Sequence, residues 1–150
     1  MAMPKSVVKI NKDGVQYTSN VDAVNYTIEE LSRRALYDTA KFVRREMIQE
    51  LKKMPGMKRN KRIYRSTQFW VRRRETDLQI GYKHDSWYGA HQELGDRNQP
   101  ARNTLRNAVY PNIDKIREIQ GQYLSGIADA NTAQAMIDEA DYVSKEDGDD

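Results

Sequence analysis

From Val7 to Thr18 apolar and polar residues alternate on either side of Asp13–Gly14. An Asp-Gly pair between two such runs predicts a β-hairpin, because both residues of its tight turn need positive φ. A two-residue loop sets Ile10 opposite Tyr17 and gathers Val8, Ile10, Val15 and Tyr17 near one side. The period then changes to three or four residues. Ile28, Leu31, Ala35, Leu36, Ala40, Phe42, Val43, Met47, Leu51 and Met54 form one wide apolar stripe, which predicts a long helix with a core-facing side. Arg33, Arg34, Lys41, Arg44 and Arg45 fall mostly off that stripe. Thr27 with Glu30 three residues on has the form of a capping box, with Tyr26 and Leu31 in the staple positions. That predicts the helix start at Thr27, and Pro55–Gly56 predict its stop.

Alternation returns in TQFWVRRRETDLQIGYK, read as two strands joined by a turn near Glu75–Thr76–Asp77. Phe69 and Val71 point one way, and Leu78, Ile80 and Tyr82 alternate on the partner strand. Trp70 and Arg72 take the opposite face, where a neighbouring subunit could bury them. Beyond Tyr110–Pro111, PNIDKIREIQGQYLSGI predicts a helix whose buried face is Ile113, Ile116, Ile119 and Tyr123–Leu124. A weaker pattern at Ala133, Met136, Ile137 and Ala140 fades into SKEDGDD. The expected fold is α+β: a long N-terminal helix packed on a small antiparallel sheet, followed by C-terminal helices.

The stretch YGAHQELGDRNQPARNTLRNAV, residues 88–109, joins these parts. It predicts a short helix with Tyr88, His91 and Glu93–Leu94 near one face, stopped at Gly95 in a left-handed conformation. A polar loop, Asp96 to Gln99, follows. Pro100 then stands just before a second helical run marked by Leu105 and Ala108–Val109. Tyr88, Ala90, Glu93, Gly95, Pro100, Ala101, Leu105 and Ala108 together resemble the motif of a known family, the small tail-completion (head–tail joining, or neck) proteins of long-tailed double-stranded-DNA phages, gene-product-ten-like. That motif runs Tyr-Ala-x-x-x-Glu-x-Gly-Thr and then Pro-Ala-x-Pro-Phe-Leu-x-Pro-Ala. This chain departs from it at Ala90, two residues after Tyr88 rather than next to it, at Asp96 in place of Thr, and at Asn103–Thr104 in place of Pro-Phe. The resemblance extends over residues 5–125.

The resemblance implies a structural virion protein, not an enzyme, that assembles in the host cytoplasm as a ring at the head–tail interface and lines a DNA conduit. Its implied partners are further copies of itself and neighbouring head-completion or connector proteins on one side, tail-terminator or tail-tube proteins on the other. Non-specific contact with DNA is compatible with this. Trp70, Arg72, Arg74, Tyr88, Glu93, Gly95, Arg97 and Pro100 are then candidate subunit or partner contacts. The basic loop with Lys58, Arg59, Lys61, Arg62 and Arg65 is a candidate surface toward DNA or an acidic partner.

Charge sharpens this picture. The net charge of +3 over 150 residues divides into +10 on residues 1–127 and −7 on residues 128–150. The first part reads as one α+β domain. The second reads as an acidic extension, weakly helical and then disordered unless a partner orders it. Between Lys52 and Arg74 lie ten basic residues and no acid, interleaved with Tyr64, Phe69 and Trp70. Cations with aromatic faces suit phosphates and stacked bases, so a small basic nucleic-acid-binding protein is the rival reading. No helix-turn-helix or other reading-head pattern accompanies them.

The enzyme classes gain little support. His84, Asp85, His91 and Glu93 could offer imidazole and carboxylate ligands, and His91-x-Glu93 is similar to one part of a deaminase site. That site needs a later Pro-Cys-x-x-Cys, and the chain has no cysteine. No phosphate-binding glycine loop, nucleophile elbow or His-Glu-x-x-His occurs. No metal or cofactor is expected. Nor does any apolar run reach membrane-spanning length, and the start, MAMPKSVV, lacks a signal-peptide core, so a soluble protein is expected.

Overall fold

The computed structural model describes residues 8–54, 63–72, 74–128, 132–133 and 135–136. The fold is α+β, with a long N-terminal helix, small two-stranded antiparallel sheets and C-terminal helices. In order the elements are β1 (Val8–Lys12), β2 (Val15–Ser19), α1 (Val21–Lys53), β3 (Thr67–Arg72), β4 (Asp77–Tyr82), α2 (Trp87–Leu94), α3 (Thr104–Val109) and α4 (Ile113–Ser125). A 3₁₀ turn, Ile63–Ser66, leads into β3, and another, Tyr110–Asn112, joins α3 to α4. No described helix is long and apolar enough to cross a membrane.

The chain falls into two compact units. One runs up to Ala35 and resumes at Gln120. There β1 and β2 pair antiparallel with Ile10 opposite Tyr17, the register that a two-residue Asp13–Gly14 turn dictates. Both turn residues have positive φ, 53° and 77°. Val15 is exposed; the side chains of Val8, Ile10 and Tyr17 lie outside the described part. The unit's core holds Leu31 and Ala133, with Tyr123, Ile127 and Met136 packed against them.

The second unit is Leu36–Ile119. Val43, Met47 and Leu51, one helical turn apart on α1, are fully buried with Ile63 and Ala108. Ile80, Tyr82, Tyr88 and Leu105 pack around them. Tyr37 meets Phe69 edge to face, with centroids 5.3 Å apart. Arg44 donates from Nε to the Thr67 carbonyl at 3.2 Å, tying β3 to α1.

Four local expectations need correction. The long helix begins at Val21, not at Thr27. Thr27 Oγ1 donates to the Ala23 carbonyl at 2.8 Å, the back-bond of a hydroxyl inside a helix, so no capping box forms there. Ile28 is also 39% exposed despite its stripe position. On α4, Ile113 and Leu124 are exposed, and no residue of that helix is fully buried. Finally, Pro100 precedes α3 by four residues, because residues 101–103 form a connecting segment before Thr104 opens the helix.

Candidate interaction surface

Tyr82, the last residue of β4, forms the floor on which the 88–109 stretch is built. A Cβ added to Gly89 would lie 2.5 Å from Cγ of the Tyr82 ring, so only glycine lets α2 settle this closely. The glycine that separates Tyr88 from Ala90 therefore has a packing role. Tyr88, Gln92 and Glu93 lie on the less exposed side of α2 with Gly89, and Tyr88 joins the core.

The helix stops at Gly95, whose N–H donates to the His91 carbonyl at 2.9 Å. Its φ of 82° and ψ of 165° lie beyond the left-handed helical region, where essentially only glycine is found. A Cβ would also lie 2.6 Å from the Ala101 nitrogen. The expected left-handed C-cap thus becomes a sharper, doubly constrained break. Asp96 and Gln99 then exchange backbone hydrogen bonds at 2.9 and 3.1 Å, closing a tight turn that Asp96 Oδ1 braces by accepting from Arg97 N. The returning chain donates from Arg102 N to the Gln92 carbonyl (2.9 Å) and from Asn103 N to the Glu93 carbonyl (3.2 Å). Carbonyls that a helix end leaves unpaired are satisfied in this way.

Glu93 locks the elbow. Its Oε1 accepts from Leu105 N at 2.9 Å, and its Oε2 accepts from Thr104 Oγ1. The carboxylate thus caps the N-terminus of α3 from eleven and twelve residues away in sequence. Thr104 Oγ1 also lies 2.8 Å from the Tyr82 hydroxyl. A threonine hydroxyl has one proton, here given to Glu93, so Tyr82 is the donor in that pair. Burial raises the Tyr82 phenol above its ordinary pKa, and the Glu93 charge reinforces this.

The outward side of α2 has the opposite character. Trp87, Ala90, His91 and Leu94 recur at helical spacing and are exposed, Trp87 at 72% and Leu94 at 78%. Trp87 contacts His91 edge to face at 5.5 Å, and His91 Nδ1 lies 3.8 Å from Asp96 Oδ2. The expectation that His91 and Leu94 share a face with Tyr88 and Glu93 is therefore corrected. An eight-residue helix does not reveal by period which side meets the core, and here Gly89 decides it. Trp87 went unnoticed in the sequence; its spacing to Leu94 was the available signal.

The chain matches no known family model, and no curated protein or solved structure matches it.

The remaining candidates divide by environment. Trp70 is 69% exposed on the outer face of β3–β4, opposite Gln79. Arg72 pairs with Glu75 and approaches Asp77 at 3.8 Å, so its charge is largely used within the hairpin. Arg65, Arg74, Arg97 and Pro100 are exposed. Tyr88, Glu93 and Gly95, by contrast, serve the elbow's interior. Lys58, Arg59, Lys61 and Arg62 lie outside the described residues, as do residues 137–150. His84 and Asp85 are exposed on the loop before α2, while the Glu93 carboxylate is turned to α3. Among the described residues no group of three or more acids and histidines is placed to hold a metal ion.

Proposed function

We propose that this chain is a structural subunit of a phage head–tail junction, forming a ring that joins the DNA-filled head to the tail and surrounds the DNA path. The observation that carries the proposal is the pairing of an internally satisfied elbow with large apolar side chains turned outward: Trp70, Trp87 and Leu94. Exposed aromatic residues on firm supports suit burial against other subunits, where tryptophan is among the strongest hot-spot residues. Elbow residues Tyr88, Glu93, Gly95 and Ala108 are also four of the eight through which the sequence resembles tail-completion proteins. In this reading Glu93 and Gly95 act by fixing the geometry that presents Trp87 and Leu94.

Sizing of the purified chain, followed by incubation with tail-less heads and head-less tails, tests the proposal. A closed ring of one mass that promotes joining is the expected result. A monomer that leaves the two parts unjoined, and instead retards bare DNA with a steep salt dependence, would favour a small nucleic-acid-binding protein.

A further inference from the structure

We propose that the outer face of the β3–β4 hairpin receives the acidic segment 137–150 of a second copy of this chain. The second copy is what this shares with the ring reading; the choice of occupant comes from the hairpin itself.

Gln68, Trp70, Gln79 and Gly81 line a shallow groove on that face. Gln68 stands opposite Gly81, and Trp70 opposite Gln79. A Cβ at Gly81 would meet nothing within 4 Å, so the sheet beside the indole is bare. Exposed cations bracket it. Arg65 and Lys83 sit at the open end, where Lys83 N donates to the Ser66 carbonyl at 2.7 Å, and Arg74 sits in the turn. At about 3.3 Å per strand residue, these ends lie roughly 13 Å to either side of Trp70. Residues 65–83 together carry a net charge of +3, after Glu75 and Asp77 have been counted against the arginines.

The occupant must therefore combine acids with an apolar or aromatic group, over a length of about eight extended residues. Segment 137–150, IDEADYVSKEDGDD, fits that description. It holds seven acids and one base, and Tyr142–Val143 stand among them. Tyr142–Val143 lie against Trp70, and flanking acids pair with Arg65, Arg74 and Lys83. A strand of DNA would satisfy the cations too, but every copy of the chain brings one acidic segment to every hairpin. A segment that crosses to a neighbour makes a head-to-tail contact, which closes into a ring where the rotation allows.

The absence of cysteine makes a thiol test direct. Full-length chains carrying both Gln79→Cys and Ser144→Cys are oxidised mildly and run without reductant. The expected result is a ladder of covalently linked copies, diminished by high salt and by the triple change Arg65→Glu, Arg74→Glu, Lys83→Glu. Restoration in the triple variant by Asp147→Lys and Asp149→Lys would add support. A compact cross-linked monomer would overturn the inference, because the segment would then fold back on its own hairpin. So would no cross-link at all, or a ladder untouched by charge reversal. Cross-linking abolished by a DNA oligonucleotide that itself binds the wild-type hairpin more tightly than the segment would also overturn it. Mass measurement on unoxidised wild-type protein separates the two readings: a ring without the ladder removes only the segment's role, whereas a monomer removes the ring.

Discussion

The elbow from Tyr82 to Val109 and the outer face of β3–β4 adjoin the same β-strand but are stabilised differently. In the elbow, polar groups turn inward and find partners: Glu93 with Thr104 and Leu105, Tyr82 with Thr104, and the carbonyls of Gln92 and Glu93 with the returning backbone. On the hairpin an indole turns outward, with cations at both ends and Gln79 across from it. The elbow explains itself within one chain. Trp70 keeps most of its surface exposed among the described residues, as do Trp87 and Leu94 on the far side of α2. Under the proposed function, conformational stability and partner binding therefore rest on separate residues, and substitutions should separate them.

The largest effect is expected at Gly95. Gly95→Ala forces a side chain into a glycine-only backbone conformation and into the Ala101 nitrogen, and should cost about 3 kcal/mol in urea unfolding. A loss within experimental error would mean that the elbow relaxes freely, and the contrast with the hairpin would collapse. Glu93→Ala comes next, at about 2 kcal/mol, because it strands the Leu105 N–H and the Thr104 hydroxyl. Glu93→Gln, which keeps an acceptor, should recover part of that loss; equal losses would assign the effect to packing alone.

Tyr82→Phe is smaller, about 1 kcal/mol, since Thr104 keeps its bond to Glu93. It also carries a pH signature. The folded phenol has a raised pKa, so its contribution is fully present below the unfolded value near 10 and is lost as pH rises through the higher folded value. Between those two values wild-type stability should fall more steeply with pH than that of Tyr82→Phe. Equal slopes across that interval would contradict the raised folded pKa. The smallest stability effect is expected at Trp70: Trp70→Ala should shift unfolding by no more than about 0.5 kcal/mol, as for an exposed site.

Much of this division was legible in the residues, though unevenly. Asp13–Gly14 announced its hairpin because the turn chemistry is local, and alternation placed Trp70 outward because a strand's period is two. The α1 stripe was legible over Val43, Met47 and Leu51 for the same kind of reason. Its start was not. Thr27 and Glu30 have the spacing of a cap, yet the helix already begins after Asn20, where Val24 N donates to the Asn20 carbonyl at 3.0 Å. Once the helix has been nucleated upstream, the threonine hydroxyl is left with its own backbone. Glu93 stood out as part of a motif, but its work as a cap is done across a turn that only the folded chain closes. The orientation of α2 depended on Gly89 meeting Tyr82, a contact between elements that no single-segment pattern contains.

Mass photometry of wild type beside Trp70→Ala, with circular dichroism on the same samples, tests the separation most directly. If Trp70 is an interface residue, the wild type forms a ring, while the variant keeps its helical spectrum and melting point but falls to smaller species. A variant that loses its spectrum would make Trp70 part of the chain's own core, and one that assembles as the wild type does would leave its exposure without a partner.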